Sequence, residues 1–223
     1  MTSLYRVIEA DSVQWCRSHK GEFPAIVTGL PDMSETSMNE DEYILFLREA
    51  SNSVLQSITP DGYAIFIQTD RKHKGVIDKS YYISDEAIRI LNMKMVFHKI
   101  ALIRDVDMND LFKPTYSHIL CYTRSGKPGV STPDVLHRGK TLYENGAGDL
   151  AVKRCLAFLR TQHIDTVVDP YVGRGTTLIC ALQMGFTSCI GVDIDPLQCM
   201  KTKRRCGLVR LWRRLTCGLA FLR

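Results

Sequence analysis

Thr166-Val167-Val168-Asp169-Pro170-Tyr171-Val172-Gly173-Arg174-Gly175-Thr176-Thr177 decides the reading of this chain. A short β-branched run ends in an acid, a turn carries two glycines, and helix-compatible residues follow. Such a strand–turn–helix junction lets backbone N–H groups approach a small polar ligand, because glycine has no Cβ in the way. About one strand further on, Cys189-Ile190-Gly191-Val192-Asp193-Ile194-Asp195 repeats the pattern of an apolar run ending in acid. An acid at a strand end can accept hydrogen bonds from both hydroxyls of a ribose. Leu178 stands where a dinucleotide fingerprint needs its third glycine, and Gly175-Thr176-Thr177 stands where a phosphate loop needs Gly-Lys-Ser/Thr. Arg174 is the one basic residue placed to neutralise a polyphosphate.

What remains suits a ligand with a ribose, an amino-acid-like zwitterion and no phosphate, and S-adenosylmethionine fits that description. A helix–sheet turn in any α/β protein carries the same glycine pair; the second acid weighs against that plainer reading. The stretch Asp169 to Thr177 resembles the cofactor loop of the amino-group DNA methyltransferases, the N4-cytosine and N6-adenine modification methylases. That loop usually reads Asp-Pro-Phe-x-Gly-Ser-Gly-Thr-Thr, so Tyr171 and Arg174 depart from it. Gly191 to Pro196 resembles the next strand end of the same family, with Asp193 at its ribose-binding acid. The resemblance implies that Asp169, Gly173, Gly175 and Thr176 cradle the methionine part, with Pro170, Tyr171 and Thr177 in the same site. Asp193 and Ile194 would serve the ribose side, and Asp11 would lie near the adenine.

The chain has 223 residues, enough for one well-buried α/β domain and too few for two large ones. No apolar run approaches the length of a membrane span, and no basic leader precedes the strand-like run at Leu4, so a soluble intracellular protein, cytoplasmic or nuclear, is expected. Eight cysteines, at 16, 121, 155, 180, 189, 199, 206 and 217, form no Cys-x-x-Cys pair. Their positions in apolar runs suit reduced, buried thiols rather than zinc ligands or a disulfide framework. His73, His98, His118, His137 and His163 are scattered without ligand spacing, so no metal is expected. The formal net charge of +5 is a property of the C-terminus: residues 201–223 hold eight Lys/Arg and no acid, and the other residues carry 21 basic against 24 acidic groups.

Leu4 to Asp11 reads as a strand ending in acid, Phe23 to Thr28 as a second strand, and Glu40 to Ser57 as an amphipathic helix. Thr59-Pro60-Asp61-Gly62 signals a turn before a buried strand, Tyr63 to Gln68. Ser84 is placed to cap a helix reaching about Met93, followed by strands over Val96–Arg104 and Tyr116–Thr123. Residues 124–141, rich in Gly, Pro, Ser and Thr, read as a linker or loop. A helix over Asp149–Arg160, the cofactor strand, its helix over Leu178–Met184 and the ribose strand complete the body.

Strands alternating with helices imply a mainly parallel sheet covered on both faces. The family resemblance implies the Rossmann-like methyltransferase fold with seven strands and an antiparallel edge hairpin, in circularly permuted order. Residues 1–205 would form this domain: an adenine-side, acceptor-loop and hairpin half over 1–123, a loop over 124–141 and a cofactor half over 142–205. Residues 206–223 would be a basic amphipathic tail, with Leu208, Leu211, Leu215 and Leu219 either docked on the sheet edge or opposite a nucleic-acid-gripping arginine face.

In that permuted order Thr28, Gly29, Leu30, Pro31 and Asp32 fall at the catalytic loop. The family reads Asp/Asn/Ser-Pro-Pro-Tyr/Phe there: the first side chain and the following carbonyl accept the hydrogens of an amine, and the aromatic residue stacks on an extruded base. Here Gly29 replaces the polar residue and Asp32 the aromatic one. Carbonyls at Gly29 and Leu30 can still orient an amine, and Asp32 or Thr28 can accept a proton; Asp32 can equally cap the turn Met33-Ser34-Glu35. Only about 20 residues separate Thr123 from Tyr143, too few for a separate sequence-reading domain. The run Arg71-Lys72-His73-Lys74 is a candidate phosphate contact. The expected function is methyl transfer from S-adenosylmethionine to a nitrogen of DNA or RNA, with no membrane partner. Two alternatives stay open: a catalytically silent methyltransferase-like binding subunit, and an enzyme acting on a small-molecule or protein nitrogen.

Overall fold

Apolar runs that alternate in strand period on both sides of the chain build one sheet between two helical layers. The computed structural model describes residues 4–70, 75, 77–104, 113–127, 133–143 and 146–219, with side chains through residue 211. Among the described residues there are eight strands: β1 Tyr5–Glu9, β2 Phe23–Thr28, β3 Ile58–Gln68, β4 Lys94–Leu102, β5 Tyr116–Thr123, β6 Val135–His137, β7 Thr166–Asp169 and β8 Ser188–Asp193. Their order across the sheet is β1-β8-β7-β2-β3-β5-β4-β6. All neighbouring pairs are parallel except those that β5 makes with β3 and β4. Strand β7, late in the chain, therefore lies in the interior of the sheet beside β2.

Six α-helices of the described residues cover the faces: α1 Ser12–Ser18, α2 Glu40–Ser57, α3 Lys79–Ser84, α4 Asp149–Thr161, α5 Thr176–Gln183 and α6 Pro196–Leu219. Strand β3 shows why both faces need cover. Ala64 and Phe66 enter one core with Trp15, Leu47 and Ile83, while Tyr63, Ile65 and Ile67 enter the other with Leu156, Leu178 and Cys206. This two-sided burial is the signature of a mainly parallel sheet.

Several elements depart from the sequence reading. The sheet has eight strands, not seven, because β6 forms inside the segment read as a linker and pairs with the outer side of β4. Three residues are too few to leave a periodic signal. The β4–β5 hairpin is accordingly not at the edge. Strand β3 begins at Ile58, so the Pro60–Gly62 turn signal is absorbed into the strand as the β2–β3 register shifts between Phe23 and Ala25. Helix α1 went unread; Asp11 caps it by accepting from the Gln14 N–H at 2.8 Å. Ser84 caps nothing: α3 starts five residues earlier, with the Asp78 side chain accepting from Tyr81, and continues as a π-helical turn over Asp85–Ile90. The boundary drawn at 205/206 falls inside α6, where Cys206 is fully buried in the second core.

Candidate active site

The strands β1, β8, β7, β2 and β3 all end at one edge of the sheet, and their carboxyl ends open into a cleft of about 1200 Å³. Ligands of open α/β sheets bind at this edge. The turn after β7 is built by Gly173 (φ 49°) and Gly175 (φ 86°), both left-handed, a conformation that disfavours any Cβ. The Val172 N–H donates to the Val192 carbonyl at 2.9 Å, tying the turn to β8. Asp193, at the end of β8, accepts from the Gly173 N–H at 2.8 Å and the Asp195 N–H at 2.9 Å, one on each carboxylate oxygen. An ionised carboxylate has about four acceptor sites, so Asp193 retains capacity for a diol on its cleft side. Burial raises its pKa against the pull of these two backbone bonds.

Asp169 is 4% exposed and accepts from the Thr28 hydroxyl at 2.7 Å and the Tyr171 N–H at 3.2 Å. Burial pushes its carboxyl up to about 6, opposed by hydrogen bonds from Thr28, Thr177 and Tyr171. The Thr28–Asp169 bond joins residues 141 positions apart, one at the end of β2 and one at the end of β7. The Thr28 hydroxyl, offered by the sequence as a proton acceptor, donates its own hydrogen to Asp169.

The remaining cofactor candidates divide into two groups. Asp11, Tyr171, Thr176, Thr177 and Ile194 line the cleft along with Asp169, Gly173 and Asp193. Pro170 and Gly175 do not; the Pro170 carbonyl accepts from the Ser12 hydroxyl beneath the loop, and Gly175 is the N-terminal cap of α5 packed against Thr202. The Thr176 hydroxyl, the Tyr171 hydroxyl and the Gln198 side-chain oxygen are buried with no partner among the described residues. Buried polar atoms of this kind normally find a partner. Donors, acceptors and a carboxylate gathered around one cleft fit a nucleoside with an amino-acid tail. Phe46 meets the Tyr171 ring edge-on at 6.3 Å and adds an apolar wall.

The loop after β2, expected from the sequence to serve the acceptor, is held by long-range contacts. Gly29, Leu30, Pro31 and Asp32 all line the cleft. A Cβ on Gly29 would lie 2.8 Å from the Ile67 carbonyl oxygen, so the polar side chain of the related loop cannot stand here without a backbone shift. Leu30 is buried, and the Pro31 carbonyl accepts from the Tyr43 hydroxyl at 2.6 Å. Asp32 caps the turn Met33–Glu35 in a reciprocal capping box and forms an ion pair with Lys79, whose side chain is buried. Burial alone would raise the Asp32 pKa; the Lys79 hydrogen bond and charge, with the Ser34 bonds, bring it below the usual carboxylate range. The capping reading of Asp32 therefore holds, and a carboxylate already bonded to a lysine is a weak general base.

Sequence reading missed Gln68, Lys79, Tyr143, Gln198, Arg104 and Arg138, all lining the same cleft. Tyr143 packs over the Arg174 guanidinium at 5.2 Å, next to Gly173. Arg104 follows β4 and Arg138 follows β6, two strands that leave the sheet at the same edge. Neither guanidinium has an acidic partner among the described residues, and Arg138 is lowered in pKa by burial and by the Arg104 charge. The run Arg71-Lys72-His73-Lys74 lies outside the described residues. The histidines are not all scattered: His98 bonds His118 at 2.8 Å, and His118 bonds Asp70 at 2.9 Å. No metal-binding group of His, Cys, Asp and Glu occurs among the described residues, and no described helix is long and apolar enough to cross a membrane.

The fold is the methyltransferase fold of the DNA modification methylases. A putative DNA modification methylase from Thermus thermophilus, solved with S-adenosyl-L-methionine, superposes with a TM-score of 0.70 at 18% identity, over 92% of this chain and 95% of that one. The cytosine-N4-specific PvuII DNA methyltransferase gives 0.67 at 15% identity, over 92% and 87%. The M1.HpyAVI complex with S-adenosylmethionine gives 0.64 at 15% identity, over 90% and 98%. In sequence, the type II methyltransferase M.MjaII of Methanocaldococcus jannaschii is 47% identical over 36 residues, which is 16% of this chain and 7% of that enzyme. No protein-family model matches the chain.

Proposed function

We propose that this protein is an S-adenosylmethionine-dependent methyltransferase acting on a nitrogen of a nucleic acid. The observation that carries the reading is the pairing of Asp169 and Asp193 around the Gly173–Gly175 turn, in a cleft shared with the Gly29–Asp32 loop. The bound cofactor would supply an electrophilic methyl on a sulfonium. The chain's own part is placement: holding donor and acceptor in line can provide about 7–11 kcal/mol without any covalent step by the protein. Asp193 offers its remaining lone pairs to the ribose diol, Asp169 and Thr176 face the amino-acid end, and Asp11 and Phe46 flank the adenine side. The Gly29 main-chain carbonyl accepts an N–H of the acceptor, those of Leu30, Pro31 and Asp32 being bonded by Gln68, Tyr43 and Glu35. Arg104 and Arg138, without an acidic partner among the described residues, offer two cations to a phosphate backbone. In this reading the chain is circularly permuted, the acceptor half over 1–123 preceding the cofactor half over 142–205.

Incubating the protein with methyl-labelled S-adenosylmethionine and single-stranded DNA, duplex DNA or total RNA tests the reading; label should enter one of the three. The Asp32–Lys79 ion pair favours a second reading, because it occupies the place of a stacking ring. An acceptor held only by polar contacts, a small-molecule or protein nitrogen, would leave all three nucleic acids unlabelled while another cell fraction takes up methyl.

A further inference from the structure

The loop that this chain resembles has proline at the position of Leu30, and proline has no N–H to satisfy. Leucine restores that donor in a position 5% exposed. Gln68, the last residue of β3 and itself 4% exposed, answers both groups of the Leu30 peptide. The Leu30 N–H donates to Gln68 Oε1 at 2.8 Å, and Gln68 Nε2 donates to the Leu30 carbonyl at 3.2 Å. Tyr43 holds the next carbonyl, that of Pro31. Residue 29 has no room for a side chain beside Ile67, and its carbonyl has no hydrogen-bond partner among the described residues.

We propose that Gln68 is the positioning residue of the acceptor loop, clamping the Leu30 peptide so that the Gly29 carbonyl is presented to the acceptor nitrogen. The inference rests on the methyltransferase reading above. It replaces a side-chain acceptor, which the backbone excludes here, by a carbonyl whose direction is fixed from a neighbouring strand. Both amide groups of Gln68 are engaged by the Leu30 peptide, so its loss should slow transfer without weakening cofactor binding.

The test compares wild type, Gln68→Ala, Gln68→Glu and the double variant Gln68→Ala/Leu30→Pro. The assay is transfer from labelled S-adenosylmethionine to whichever of single-stranded DNA, duplex DNA or total RNA the wild type labels. Gln68→Ala is expected to lower kcat, per folded molecule, by roughly 10- to 100-fold, the scale of a small misplacement of reacting groups. Its calorimetric affinity for S-adenosylmethionine should stay within about twofold, since no cofactor contact is lost. Adding Leu30→Pro removes the N–H left unpaired and should recover part of kcat. Amide exchange should show Leu30 protected in the wild type and faster in Gln68→Ala. Should Gln68→Ala not fold, the isosteric Gln68→Glu, which keeps the acceptor and loses the donor, carries the same comparison. A kcat within twofold of wild type, or unchanged Leu30 exchange, overturns the assignment. A wild type that labels none of the three acceptors overturns the parent reading, and this proposal with it.

Discussion

Asp169 shows how a single residue can set the site's response to pH. Its folded pKa of about 6 lies above the unfolded value of about 3.9. Between those values the native state holds a proton that the unfolded state has released, so stability falls as pH rises through that window. Above pH 6 the ionised, buried carboxylate costs roughly 2–3 kcal/mol. Asp169→Asn keeps an oxygen for Thr28 and removes the charge. It should raise stability by about 1–2 kcal/mol at pH 8 and lose that advantage near pH 4, measured by denaturant titration at both values. The same substitution should weaken S-adenosylmethionine, and wild-type affinity should fall as pH drops through 6. Such residues were legible because acids and glycines at strand ends are local signals. Gln68, Lys79 and Tyr43 were not: they reach the acceptor loop from 38, 47 and 12 positions away, and nothing in their own neighbourhood marks them.

Among the elements, α6 departs most instructively from its sequence pattern. Leucines spaced along a basic helix suggested a docked apolar stripe, but Leu208 and Leu211 are 60% and 56% exposed. The face turned to the sheet carries Thr202, Cys206 and Val209 instead, with Thr202 donating to the Gly173 carbonyl at 2.8 Å. Leu215, Leu219 and the arginines beyond Leu211 have no described side chains. Replacing Leu208 and Leu211 by Gln should shift stability by less than about 0.5 kcal/mol each, whereas Cys206→Ser buries a hydroxyl and should cost about 1–3 kcal/mol. Thermal melts of the three variants check this directly. Short elements escaped the sequence for a common reason. Helix α1 has seven residues and β6 three, below the length at which a hydrophobic period can be counted.

At the scale of the whole molecule, the alternation of strands and helices predicted the doubly covered parallel sheet. The covering of β4 by β6 was hidden by the Gly, Pro and Ser residues around it. The sheet brings Thr28 and Asp169 into contact from distant parts of the chain. Arg104 and Arg138 belong to this scale, since two strand ends present them to the same cleft. If a nucleic acid is the acceptor, Arg104→Ala and Arg138→Ala should each reduce the slope of log affinity against log salt by about 0.7–0.9, measured by anisotropy of a labelled single-stranded or duplex oligonucleotide. In the proposed function the edge of this sheet is a pocket for S-adenosylmethionine with Asp193 on the sugar. Calorimetric titration of wild type and Asp193→Ala with S-adenosylmethionine decides this. One-to-one binding by the wild type, weakened by about 10- to 150-fold in the variant, is the predicted result. No heat from the folded wild type at millimolar cofactor, or equal affinity in both proteins, would contradict it.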